Sequence, residues 1–154
     1  MSQETFSPFT SSDSSYSRDL GIGFAMAVAT ALIGAYVCAN VIHSFGEFGA
    51  LVLLLLGWLA GSAARKMMSR PRKIVGYAMA AAVIIATLVS EVAWIRWNIV
   101  GVDSWGKAIG LLPTFCQQYP ISALVAGLCG FFGASTAYKE AGLRYRTIQV
   151  VVEE

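Results

Sequence analysis

Glu91 stands inside an apolar run, VIIATLVSEVAWIRW, in which a carboxylate needs a chemical or a packing reason to exist. It precedes Trp97 by six residues, roughly 9 Å at the rise of an α-helix. Trp94 and Trp97 mark the level where such a run meets a membrane surface. An acid at the centre of a membrane helix costs about 2.5–3.5 kcal/mol, and less toward the interface. Glu91 must therefore carry a proton, reach water or find a partner, and a residue in that position is suited to binding a proton or a cation.

His43 ends another apolar run at nearly the same expected depth, with Asn40 one turn further in. Glu91, His43 and Asn40 together predict a small polar pocket opening toward one membrane face. Arg96 is the nearest countercharge in sequence. Five residues of helix turn it about 140° away from Glu91, which makes an intrahelical pair geometrically poor. The plainer reading ends the first run in the headgroups at His43 and lets Glu91 snorkel or bond to a neighbouring helix.

Other chemistry is not in evidence. Cys38, Cys116 and Cys129 have no ligand spacing, and His43 is the only histidine, so no metal or cofactor is expected. No Ser–His–Asp order, phosphate loop or dinucleotide fingerprint is present. No catalytic residue is assigned, and the chain is expected not to be an enzyme.

The residues that position these groups are unusually apolar. Of 154 residues, 56% are hydrophobic and 13% charged, against about 25% charged in a soluble domain. The net charge of +2 gives no case for nucleic acid. Four stretches are long enough to cross a bilayer, at roughly 20–43, 48–65, 74–97 and 120–138, since a span takes about 20 residues. The expectation is an all-α, polytopic four-helix bundle. It divides into a disordered Ser/Thr-rich tail (1–19), a first transmembrane hairpin (20–65), a basic loop (66–73), a second hairpin (74–138) and a C-terminal tail (139–154). The turn near Ser44–Glu47 is short enough to make the first two spans antiparallel neighbours. Within 98–119, Asp103 or Ser104 caps an amphipathic segment, about 103–116, whose Trp105, Ala108, Ile109 and Leu112 share a face before Pro113 ends it.

The two hairpins resemble one another. ALVLLLLGWLAGSAARK at 50–66 and ALVAGLCGFFGASTAYK at 123–139 agree at eight of seventeen positions, and GFAMA at 23–27 matches GYAMA at 76–80. This predicts a tandem, parallel repeat, its halves related by a half-turn about the membrane normal.

Nine of the eleven basic residues fall on one side: Arg18, the cluster from Arg65 to Lys73, and Lys139, Arg144 and Arg146. Arg96 and Lys107 fall on the other. Lys/Arg-rich loops stay cytoplasmic, so both termini are expected inside, in a membrane that the short loops and charge bias suit best as a bacterial inner membrane.

Between helices in lipid, association rests on close packing rather than on water-driven burial. Small residues recur at four-residue spacing in each span, and the helix-packing candidates are Gly57 and Gly61 (a GxxxG pattern), Gly127, Gly130, Ala31 and Ala35. The leading expectation is a small membrane subunit acting by helix association, as a homo-oligomer or within a larger complex, its other partner being the lipid bilayer. The alternative is a small oligomeric transporter or channel with Glu91 as its proton- or cation-binding residue.

The orientation is open to a direct check. Single cysteines placed at Ser69 and Lys107 should label differently in intact cells, the second from outside and the first only after permeabilisation. Outside labelling at position 69 would invert the topology.

Overall fold

Apolar length decides the architecture first. The computed structural model describes the backbone of residues 12–143 and the side chains of all these except 12–14, His43, Gly46 and Glu47. It contains α1 (Ser12–Phe45), a 3₁₀ turn (Gly46–Ala50), α2 (Leu51–Met67), α3 (Lys73–Asn98), α4 (Trp105–Gln118) and α5 (Pro120–Gly142). There is no strand among the described residues. Four segments are long and apolar enough to cross a membrane: Ser15–Ile42, Phe48–Met67, Lys73–Asn98 and Pro120–Gly142. The chain is an all-α polytopic membrane protein.

Contacts between the helices give their directions. Gly23, in the first half of α1, meets Val75 at the start of α3, while Ala31, Ala35 and Ala39 share a crevice with Ile85, Val89 and Ala93, so this pair is parallel. Gly57 lies on Gly133, and Gly61 within 2.9 Å of Ala137 when a Cβ is placed on it, so α2 and α5 are also parallel. In α3 and α5, Gly76 sits on Gly142 and Thr87 on Gly130, an antiparallel pair. Gly34 of α1 takes Leu56 of α2. The four spans thus form a ring in the order α1, α3, α5, α2.

That ring is incompatible with the expected half-turn. A half-turn through its centre exchanges opposite helices, whereas α1 and α3 are adjacent, as are α2 and α5. The hairpins instead stand side by side, each helix beside its sequence counterpart and running the same way. The likeness of the hairpins remains a sequence pattern.

Two boundaries differ from expectation. Helix α1 begins at Ser12, inside the segment expected to be disordered, because Tyr16 and Asp19 find partners at Ser69 and Arg72 that hold its first turns. Helix α4 runs through Pro113 to Gln118. Buried Phe115, stacked 5.1 Å from Trp94 and 5.2 Å from Tyr119, draws the helix past the residue expected to stop it. On α4, Trp105, Ile109 and Leu112 line one crevice with Leu88, Val89 and Val92 of α3, while Ala108 and Phe115 are buried against Val92 and Ile95. The tail at 1–11 and the TIQVVV segment lie outside the described residues.

Hydroxyls inside the bundle are satisfied locally. Thr30, Thr87 and Thr136 each donate to the carbonyl four residues earlier, at 2.8–2.9 Å, and Ser90 donates to Thr87 O at 2.7 Å. Such back-bonding meets the need for partners in a medium without water.

The glycines separate into packed and unpacked. A Cβ on Gly57 would overlap the Gly133 carbonyl, and one on Gly130 would come within 2.6 Å of Thr87 Oγ1. Gly127 has nothing within 4 Å of such an atom and is exposed, so it contributes no helix contact within the chain. Ala35 is buried and Ala31 half-buried against the core. Backbone cannot yield as a side chain can, so Gly57→Leu should destabilise by about 3 kcal/mol or more, the upper end of overpacking. Gly127→Leu should leave the melting temperature in detergent unchanged, and equal loss in both variants would contradict the assignment.

Candidate functional site

Glu91 lies on α3 about two turns before its end at Asn98, and it lines a cavity of about 250 Å³. Trp94, one turn further along α3, forms the adjacent wall. Phe115 of α4 and Tyr119, at the junction of α4 and α5, continue it as a row of three aromatic rings. Ser122 and Ala126 of α5 face them, and Ile42 and Ala50 close the remaining side.

The local sequence explains how these elements meet. Ser104 caps α4 by accepting from the Lys107 amide at 3.4 Å, fixing its start. The Tyr119 amide closes the last turn on Phe115 O at 2.8 Å. Tyr119 then leaves the helical region (φ −123°, ψ 62°), and Pro120 begins α5 at the position where its missing N–H costs nothing. That one-residue joint folds α4 back over the end of α3 and places Phe115 and Tyr119 above Glu91. The Asp103–Lys107 ion pair, 2.7 Å apart, is exposed on both partners; its hydrogen bond holds the Asp103 carboxyl below the usual carboxylate range.

Of the polar residues singled out from sequence, Glu91 faces this cavity and two others do not. Asn40 is exposed and donates to Tyr36 O at 2.7 Å, so it takes no part in the expected pocket. One residue of register decides this: Cys38, Ala39 and Ile42 turn inward, and Asn40 lies between them on the outer face. Arg96 places its guanidinium 4.8 Å from the Trp105 ring centroid, toward α4 and away from Glu91. The His43 side chain lies outside the described residues. Among those described, no hydrogen bond or ion pair reaches the Glu91 carboxyl. No group of three His, Cys, Asp or Glu side chains gathers as a metal site among the described residues either.

A second polar cluster, at the opposite end, went unmarked in the sequence. Asp19 is fully buried; its Oδ1 accepts from the Ser69 amide at 2.9 Å, and its Oδ2 lies 3.7 Å from Arg72 Nη2. Arg72 also covers the Tyr16 ring at 4.4 Å and donates its amide to Ala141 O at 3.2 Å. Arg18 donates to Ser69 Oγ at 3.2 Å. Nearby, Arg65 and Glu140 approach to 3.5 Å. The cluster ties the start of α1, the α2–α3 loop and the end of α5 into one knot. Its signal was available: Asp19 and Glu140 are acids set among the basic residues of this end.

No family model, curated protein or solved structure matches this chain.

The buried cluster carries its own test. Asp19→Ala removes the acceptor of a loop amide and the counterion of Arg72 together. It should lower the melting temperature of the purified protein further than Arg18→Ala does, because Arg18 is exposed. Equal melting temperatures for both variants and the parent would show that the knot holds nothing.

Proposed function

We propose that the protein is a small non-enzymatic membrane transporter or channel in which Glu91 takes up a proton or a cation. The observation that carries this reading is the placement of Glu91. It is an acid within a membrane-spanning helix, turned toward a cavity of about 250 Å³ and unpaired by any described side chain. Packing alone gives no reason to keep a carboxylate there, and ionisable residues at such positions commonly mark ion and substrate paths.

A second reading, a membrane subunit acting by helix association with itself or a larger complex, keeps one supporting observation. Ala31, Ala35 and Ala39 of α1 form, with Ile85 and Val89 of α3, an open apolar crevice of about 300 Å³. The GxxxG surface of α2 gives this reading less support, since Gly57 and Gly61 pack on α5 of the same chain.

The orientation proposed with either reading places both termini in the cytoplasm of a bacterial inner membrane. It is supported by the seven described cations at the end of the bundle that carries the α2–α3 loop: Arg18, Arg65, Lys66, Arg70, Arg72, Lys73 and Lys139. The Glu91 cavity then opens near the outer face.

Reconstitution tests the transport reading. Purified protein in liposomes should carry a proton or monovalent-cation current under an imposed potential. Glu91→Gln, which keeps the shape and removes the charge, should reduce it at least about tenfold, given the weight of a single charge at membrane depth. Equal flux in both proteins, or none in the parent, overturns the transport reading.

A further inference from the structure

The lining of the Glu91 cavity narrows the kind of cation it suits. A metal ion in place of its hydration shell demands several oxygen ligands in a close shell, about six to eight for a calcium ion. Among the described residues the lining is largely apolar or aromatic, with Tyr119 and Ser122 as the hydroxyl-bearing residues beside Glu91, which is short of such a shell. Aromatic faces offer something different. Their negative π-clouds attract cations that are weakly hydrated, and quaternary ammonium groups above all. Trp94, Phe115 and Tyr119 form a contiguous row, with adjacent ring centroids 5.1 and 5.2 Å apart.

We propose that the Glu91 cavity binds a small organic ammonium ion, its charge paired with the Glu91 carboxylate and its alkyl or aryl groups laid against Trp94, Phe115 and Tyr119. This rests on the reading of Glu91 as a cation site and adds the chemical class of the cation. Four features of the site meet in that ligand. The Glu91 carboxylate supplies a negative charge, and three aromatic side chains line the wall beside which methyl or methylene groups would lie. The rest of the described lining, Ile42, Ala50 and Ala126, is apolar and offers an inorganic cation no side-chain ligand. Size fits as well: an apolar cavity of about 150 Å³ takes benzene, so about 250 Å³ accommodates a molecule somewhat larger than benzene. Benzyltrimethylammonium has that bulk. Tyr119 is exposed at the rim, which gives the ligand an entry beside the α4–α5 joint.

The test is binding rather than flux. Full-length protein in detergent is titrated by calorimetry with benzyltrimethylammonium, with its uncharged carbon analogue 2,2-dimethylpropylbenzene, and with potassium chloride. The ammonium ion should bind, and both other probes at least about tenfold more weakly, the charge and the rings each being required. Glu91→Gln should weaken the ammonium about tenfold or more, and Trp94→Leu about fivefold, at unchanged melting temperature. If Trp94→Leu lowers the melting temperature, Tyr119→Leu takes its place, because Tyr119 is exposed and contributes less to packing. Equal binding of the hydrocarbon would reveal an apolar void with no use for the charge. Binding of potassium in preference to the ammonium, or Glu91-dependent flux without ammonium binding, would overturn the organic ligand while leaving Glu91 as an ion site. Ammonium binding without flux would support the ligand and count against transport.

Discussion

The fold depends on backbone meeting backbone between α2 and α5. Gly57 and Gly133 face each other with no room for a Cβ on Gly57, and Gly61 continues the contact against Ala137 and Glu140. In lipid, apolar side chains gain little by touching one another instead of acyl chains. Attraction between helices must then come from close approach, where many weak dispersion contacts and Cα–H···O interactions add up. The glycines set how near α2 and α5 come, and Val83 and Thr87 of α3 fit against the same face of α5 through Gly133 and Gly130. Helix α1 then completes the ring on α3 and α2.

The two ends of this ring are finished by different chemistry. At the loop-bearing end, a buried acid and an arginine bind three chain segments together, and the surrounding cations keep that surface polar. At the other end, aromatic packing takes over: α4 lies across α3 through Phe115 and Trp94, and the Tyr119–Pro120 joint fixes its angle. Buried ionic contacts are sensitive to the removal of one partner, whereas an aromatic contact tolerates sliding.

The Glu91 cavity follows from this arrangement. A carboxylate facing hydrocarbon gains nothing, and one sealed in a tight core loses its hydration without return. A cavity roofed by Phe115 and rimmed by Tyr119 offers a third situation, with space for a ligand or a proton carrier beside the acid. The hydroxyls of Thr87, one turn below, and of the adjacent Ser90 are already satisfied by backbone. Glu91, next along the helix, has no such bond to a described residue and faces the cavity instead.

Much of the architecture was legible in the residues themselves. Apolar length set four spans, because a bilayer imposes its thickness on any helix that crosses it. The short Ser44–Glu47 connection set the first two spans as antiparallel neighbours, a cap at Asp103 or Ser104 set the start of α4, and the cost of a buried acid marked Glu91. What the residues left open was which way each face turned. In a water-soluble helix the contrast of polar and apolar faces announces the interior. A membrane helix is apolar all round, so that contrast is missing. Nothing in the spacing distinguishes packed Gly130 from exposed Gly127, or buried Cys38 from outward Asn40. The same loss of contrast hid the partner of the GxxxG surface, which is α5 of this chain, and the order of the ring, which places like helices side by side. The first turns of α1 formed as helix because Asp19 has a loop amide to accept from fifty residues away. Local composition determined where the chain crosses; only contacts between distant segments decided what each crossing faces.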